Sequence, residues 1–237
     1  MRLKLAPLGL LLWSSLSLSV LAQVRGHSHN DYAQSQPFWT AARAGMVSLE
    51  VDLFWTRGGL LRVGHHRAEL ESERDLDRLY WEPLRAWEGP PLELLVDIKS
   101  DPDKIVPLLR QRLLERPRGL GLIVLSGARP SQRVEEEFMT QEGSLEELLE
   151  QRLAPGTRFV SGRWGSYFDW DGQGEMPSAQ RQSLEALVAQ AHRCGVKLRL
   201  WGAPDGEACW RVQKAAGVDR INTDRPQQLG VWLQESP

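Results

Sequence analysis

Residues 46–55 read MVSLEVDLFW, and residues 92–99 read LELLVDIK. Both are short, β-rich and mostly apolar, the pattern of a strand buried in a sheet. Each nonetheless carries charged residues two positions apart: Glu50 and Asp52 in the first, Asp97 and Lys99 in the second. Residues two apart on a strand face the same side. Carboxylates in such surroundings are rarely left unpaired. Outward from these segments, strand and helix patterns alternate. Strands are expected over 23–27, 46–54, 92–99, 120–126, 134–140, 157–161, 196–201 and 219–223. Helices are expected over 38–44, 102–115, 145–153, 178–194, 206–216 and 226–234. Gly45, Gly195 and Gly217 stand where helices end and strands begin. Such alternation predicts a parallel sheet. The expected fold is α/β, a (β/α)8 TIM-type barrel forming a single domain over residues 23–237. The fifth strand, within VEEEFMT, reads equally well as helix, and an open doubly wound sheet is the alternative architecture.

The bulk numbers narrow the function. The chain has 237 residues, 25% charged and 41% hydrophobic, with a net charge of −2 and no basic run. That argues against a nucleic-acid partner. Arg2 and Lys4 precede APLGLLLWSSLSLSVLA, and cleavage is expected after Ala22. Residues 1–22 are therefore expected to be a signal peptide, and the mature protein to be exported, periplasmic or secreted. The leader is short for a span and carries four serines, and no other segment is apolar enough to cross a bilayer. Cys194 and Cys209 allow one disulfide or two free thiols. Oligomeric state is not legible.

The polar residues collect at strand ends, where a barrel of this kind keeps its active site. His27 and His29 end the first strand, Glu50 and Asp52 the second, and Asp97 and Lys99 the third. Trp201 and Asp205 follow the seventh, and Asn222 and Asp224 the eighth. Three converging carboxylates repel unless a cation lies among them. Glu50, Asp52 and Asp97 are thus the expected ligands of a divalent cation, and all-oxygen donors favour Mg²⁺ or Ca²⁺ over zinc. A TRGG turn at 56–59 folds residues 60–64 back beside the second strand and brings His65 and His66 to these carboxylates. Neighbours on an extended segment point opposite ways, so one enters, and His65 is the expected one.

Histidines on two sides, a held cation and a lysine suit phosphodiester cleavage. The cation and Lys99 would neutralise the phosphate. One histidine would act as base or nucleophile and another as acid. His27, His29, His65 and Lys99 form the expected catalytic set, with His27 slightly favoured over His29. Asn30 and Asp31 are expected to orient that pair and face the substrate.

These residues together resemble the phosphatidylinositol phospholipase C-like phosphodiesterase superfamily, which includes glycerophosphodiester phosphodiesterases and sphingomyelinase D-type phospholipases. VDIKS resembles the D-x-K strand of the latter, which implies a phosphate contact for Lys99. A narrower resemblance runs through HSHNDY, PFWTAARAGMVSLEVDLFW, LLRVGHH, SGARP, FDWDGQGEMP, LWGAPD and INTDRP. This set is similar to the altered-inheritance-of-mitochondria phosphodiesterase-like family. The resemblance implies a metal-dependent barrel acting on a small-molecule or lipid phosphodiester, with Trp201 as the aromatic at its mouth and Asn222 at a polar tip. The HRG…ENT signature of glycerophosphodiesterases is missing, and HH stands where that group has HD, so glycerophosphodiester specificity does not follow. The segment SYFDWDGQGEMP reads as a loop over the mouth whose Phe168 and Trp170 either pack or touch substrate.

Two other functions fit the opening motif. H-x-H after a first strand also occurs in metal-dependent amidohydrolases and histidinol-phosphatase-type enzymes. Those need late histidines at strand ends, and the late one here, His192, falls within an expected helix. The third possibility is an exported binding protein on the same barrel.

Overall fold

The computed structural model describes residues 24–236. The leader expected over residues 1–22 lies outside them. Ten strands form one sheet: β1 (Arg25–Ser28), β2 (Ser48–Thr56), β3 (Leu60–Val63), β4 (Leu92–Ile98), β5 (Leu120–Gly127), β6 (Met139–Gln141), β7 (Gly143–Ser144), β8 (Phe159–Arg163), β9 (Lys197–Trp201) and β10 (Arg220–Thr223). The order is β6-β5-β4-β2-β1-β10-β9-β8-β7, with β3 paired antiparallel to β2 and every other pairing parallel. The two ends of this path, β6 and β7, are separated in the chain by Glu142 alone. They are one strand broken at a single residue, so the sheet curls into a nearly closed barrel of eight staves.

Among the described residues, seven α-helices surround it: α1 (Trp39–Arg43), α2 (Glu82–Ala86), α3 (Pro102–Leu113), α4 (Leu145–Leu149), α5 (Ser178–Arg193), α6 (Glu207–Ala216) and α7 (Pro226–Glu235). A π-helical turn, Asp77–Trp81, runs into α2. Sequence patterning does not single out this helix, although Leu76, Tyr80 and Leu84 recur every four residues and are all buried. The fifth strand starts later than expected. Residues 134–141 fold back on themselves, with Gln141 N donating to Val134 O and Glu136 N to Met139 O. The charged run Glu135–Glu137 therefore stays out of the sheet, and the β5–β6 connection crosses as a loop without a helix.

The barrel's floor is ionic. Glu93 on β4 pairs with Lys197 on β9 at 3.0 Å and with Arg220 on β10 at 2.7 Å. Neither β9 nor β10 neighbours β4, so these bonds cross the interior. Burial alone would raise the Glu93 carboxyl; the Arg220 guanidinium outweighs it and holds it low. Leu95 and Val124, register partners on neighbouring β4 and β5, meet Phe159 from β8 across the interior and form an apolar plug. The interior consequently opens at the C-terminal ends of the strands.

The aromatic loop after β8 resolves in favour of packing. Phe168 and Trp170 are buried with Trp164, Met176 and Leu184. Trp164 Nε1 donates to Trp170 O, and Trp170 Nε1 to Gln173 O. Cys194 and Cys209 are both free thiols, one exposed and one buried.

Gly230, inside α7, marks a close approach of two outer helices. A β-carbon there would sit 2.2 Å from the carbonyl oxygen of Ala44, where α1 ends. In an open helix, alanine is better than glycine by about 1 kcal/mol. Here the backbone clash should win, because overpacking typically costs about 1–3 kcal/mol. Gly230→Ala is expected to lower the thermal midpoint by several degrees, read by circular dichroism. A raised midpoint would show that α1 and α7 do not pack this closely.

Candidate active site

The strand register sets the site. His27 lies opposite Ser48 on β2 and Asn222 on β10. Asp52 lies opposite Asp97, and Ser161 opposite Arg199. Alternation along each strand turns these side chains into the barrel.

The inner layer is built on a buried ion pair. Arg199 Nη1 donates to Glu50 Oε2 at 2.6 Å, and both side chains are under a tenth exposed. The same nitrogen lies 3.3 Å from Asn222 Oδ1, and Arg199 Nε donates to Ser161 Oγ at 3.1 Å. His27 is fully buried, with Nδ1 2.8 Å from Ser48 Oγ and Nε2 3.1 Å from both Glu50 Oε2 and Arg199 Nη1. Burial, with the Arg199 charge beside it, lowers the His27 imidazole to about 4, so this ring is neutral near pH 7. Burial would raise Glu50, but Arg199 and then His27 outweigh it and hold that carboxyl well below the usual range.

The outer layer centres on Asp52. Its Oδ2 accepts from Tyr32 OH at 2.9 Å and lies 2.9 Å from His65 Nδ1 and 3.0 Å from Lys99 Nζ. Lys99 also donates to Asp97 Oδ2 at 2.7 Å. Asp52 Oδ1 is buried and has no hydrogen-bond partner among the described residues. Burial raises the Asp52 carboxyl; Lys99 opposes this and Asp97 adds to it, leaving it above its ordinary value. Burial would lower Lys99, but its bond to Asp97 keeps it raised and charged.

His29 approaches from β1. Its Nδ1 lies 2.7 Å from Asp224 Oδ1, and its Nε2 lies 3.7 Å from Glu50 Oε1. Burial would lower this ring, yet Asp224 and Glu50 raise it. His27 and His29 thus diverge, one locked inward and the other held at the mouth, which is not how an H-x-H pair meets one ion. His192 pairs with Asp219, the residue before β10, at the opposite end of the barrel.

The residues fit a hard divalent cation. Glu50, Asp52 and Asp97 each offer an oxygen, and the three lie within 4.8 Å of one another. Asp52 Oδ1 is an orphaned buried acceptor, the kind of group that needs a partner. All-oxygen donors of this sort suit Mg²⁺ or Ca²⁺.

Not every expected residue reaches this point. Asp31 is fully buried and accepts from Ser28 Oγ, Phe38 N and Tyr80 OH. It anchors the β1–α1 loop from beneath, so the expectation that it orients the histidines and faces substrate is corrected. Asn30 Oδ1 lies 2.9 Å from Tyr32 OH, whose one proton it shares with Asp52, rather than binding either histidine. Trp201 is 40% exposed at the mouth, with the Arg163 guanidinium 5.9 Å from its ring. His66 is exposed, its ring edge-on to that of His65 at 4.5 Å, and its backbone N donates to Glu69 Oε2. Sequence reasoning misses Arg199, Tyr32 and Glu142. Arg199 has a usable signal, since it stands two before Trp201 in the apolar strand LRLW. Glu142 accepts from Ser126 Oγ and Ser161 Oγ, and its signal is hidden by the break in its strand.

Known proteins resemble this chain in sequence and in fold. Residues 16–87, which hold HSHNDY, E-x-D and the β2–β3 hairpin, match the AIM6-like phosphodiesterase domain. Altered inheritance of mitochondria protein 6 from Eremothecium gossypii is 27% identical over 277 residues, covering 89% of this chain and 70% of that protein. Among solved structures, a glycerophosphodiester phosphodiesterase from Parabacteroides distasonis superposes with a TM-score of 0.55 at 14% identity, covering 90% of this chain and 97% of that one. A glycerophosphodiester phosphodiesterase from Agrobacterium tumefaciens gives a TM-score of 0.56 at 14% identity, covering 90% and 100%. At such identities the structural likeness speaks for the barrel alone. By sequence the chain is therefore similar to the altered inheritance of mitochondria protein 6 phosphodiesterase-like proteins, and its fold is similar to the barrel of glycerophosphodiester phosphodiesterases.

Proposed function

We propose that the chain is a divalent-cation-dependent phosphoric diester hydrolase acting on a small or lipid-derived phosphodiester. The observation that carries this is the meeting of Glu50, Asp52 and Asp97 within 4.8 Å, with Asp52 Oδ1 unpartnered and His29, His65 and Lys99 around them. A cation held by those carboxylates would polarise the phosphoryl group and offset its charge. Lys99, fixed by Asp52 and Asp97, adds a second positive charge facing the same oxygens. His65 keeps Nδ1 on Asp52, which leaves Nε2 to act as base or nucleophile. His29 keeps Nδ1 on Asp224, which leaves Nε2 to protonate the departing oxygen. The burial of His27, with both ring nitrogens engaged, supports a positioning role for it beneath Glu50. Tyr32 supports Asp52 and His65 together.

Turnover of bis(p-nitrophenyl) phosphate with Mg²⁺, Ca²⁺ or Mn²⁺, abolished by a chelator, is the first test. Failure with all three cations across a panel of diesters would leave a binding protein on the same barrel. Asp52→Asn and Asp97→Asn should lower both activity and cation affinity, the latter read by titration calorimetry. Unchanged affinity in both variants would refute the carboxylate site. His65→Ala and His29→Ala should each cut kcat by roughly 10²–10⁴-fold with cation affinity retained. Asp224→Asn should act in the same direction as His29→Ala but less strongly. Full turnover by either histidine variant would rule out the two-histidine scheme.

The apolar leader motivates a further part of the proposal, export followed by cleavage after Ala22. Intact-mass analysis of the mature protein should find Gln23 at the N-terminus; a chain retaining residues 1–22 would contradict it.

A further inference from the structure

One acidic side chain outside the carboxylate cluster gathers the rim beside His29. Asp205 lies between β9 and α6, at the end of LWGAPD. Its Oδ1 accepts from Thr223 Oγ1 at 2.8 Å and from Trp210 Nε1 at 2.9 Å. Its Oδ2 accepts from Asp224 N at 2.9 Å. Donors from the tip of β10, from the residue after it and from α6 thus meet on one carboxylate. Trp210 is buried, so it gives Asp205 a fixed footing. The N-cap of α6 is Gly206, and none of these three bonds goes to an α6 backbone N–H. Asp205 therefore does not cap that helix; it serves the β10 rim.

That rim holds His29. Asp224 Oδ1 lies 2.7 Å from His29 Nδ1, yet the Asp224 side chain is 66% exposed. So open a carboxylate has little packing to fix it, and exposed ion pairs are weak unless their partners are held in place beforehand. The backbone supplies the hold. Asp224 N is bound by Asp205, and Asp224 O accepts from Gln34 Nε2 at 3.0 Å. Thr223 Oγ1, engaged by Asp205, accepts in turn from Arg225 N at 2.9 Å, and Thr223 O accepts from His29 N at 2.9 Å. The ring and its carboxylate are both referred to the short stretch that Asp205 clamps.

We propose that Asp205 is a positioning residue for His29, acting through Asp224: it fixes the backbone from which Asp224 reaches the ring. The proposal rests on the phosphodiesterase reading, in which His29 Nε2 faces the departing oxygen, and deepens it. A carboxylate accepts on both oxygens, whereas an amide has one accepting oxygen and one donating nitrogen. In Asp205→Asn, one orientation of the amide sets its NH2 against Asp224 N–H and the other sets it against Trp210 Nε1–H. Side-chain shape is kept and the clamp is lost.

The test is a double-mutant cycle of wild type, Asp205→Asn, His29→Ala and the two together, on a phosphodiester that the wild type turns over. Asp205→Asn should lower kcat about 10–100-fold, the scale found for outer partners that orient metal-site side chains, with KM and cation affinity unchanged. In the His29→Ala background the same change should cost no more than about twofold, because the ring it positions is gone. Asp205→Ala, which removes all three acceptor contacts, should repeat the pattern with a larger first loss. A carboxylate that only stabilises the fold would cost the same factor in both backgrounds. That result, or full turnover by Asp205→Asn, would overturn the proposal. If the wild type hydrolyses no diester, the phosphodiesterase reading fails instead, and the clamp is judged by NMR of protein labelled with 15N-histidine. His29 ring-nitrogen shifts that move in Asp205→Asn as they do in Asp224→Asn, with those of His192 unchanged, uphold it. Unchanged His29 shifts, or changes that spread to His192, reject it.

Discussion

The arrangement depends on the ion pair between Arg199 and Glu50. A barrel interior is normally filled with apolar side chains, and a lone carboxylate there is strongly disfavoured. Arg199 makes the charge tolerable. It reaches across from β9, binds Glu50 from β2, and also touches Asn222 and Ser161 on the strands to either side. Buried pairs contribute little net stability, yet removing one partner costs about 3–5 kcal/mol because the other is left uncompensated. That asymmetry makes the pair a positioning device. With Glu50 fixed, His27 is fixed, and the outer carboxylates are held above a rigid base.

Two layers result, with different electrical characters. The inner one is a neutralised network in which each charge has a partner. The outer one holds Asp52, Asp97, His29, His65 and Lys99, where an acceptor on buried Asp52 remains unpaired and the other four side chains are partly open to water. Chemistry requires groups that can gain or lose a proton or ligand, and those, Glu50 apart, belong to the outer layer.

Much of this is legible in the sequence because strand geometry is a parity rule. Glu50 with Asp52 and Asp97 with Lys99 share faces by spacing alone, and the TRGG turn returns His65 to them. The same rule covers Arg199, two before Trp201, but its partner Glu50 lies 149 positions away, and no local pattern connects them. Asp31 and Tyr32 sit in a loop, where no period exists. Adjacent in sequence, they part company: one anchors the loop from below and the other reaches the site. The break at Glu142 is hidden for a similar reason, since a glutamate run suggests helix while tertiary pairing makes a short hairpin.

The ionic floor has a consequence for traffic. With Glu93, Lys197 and Arg220 tied across the bottom and Leu95, Val124 and Phe159 above them, the barrel is a blind well. Substrate, attacking water and both products share one doorway. The first product to part must pass the second or leave ahead of it.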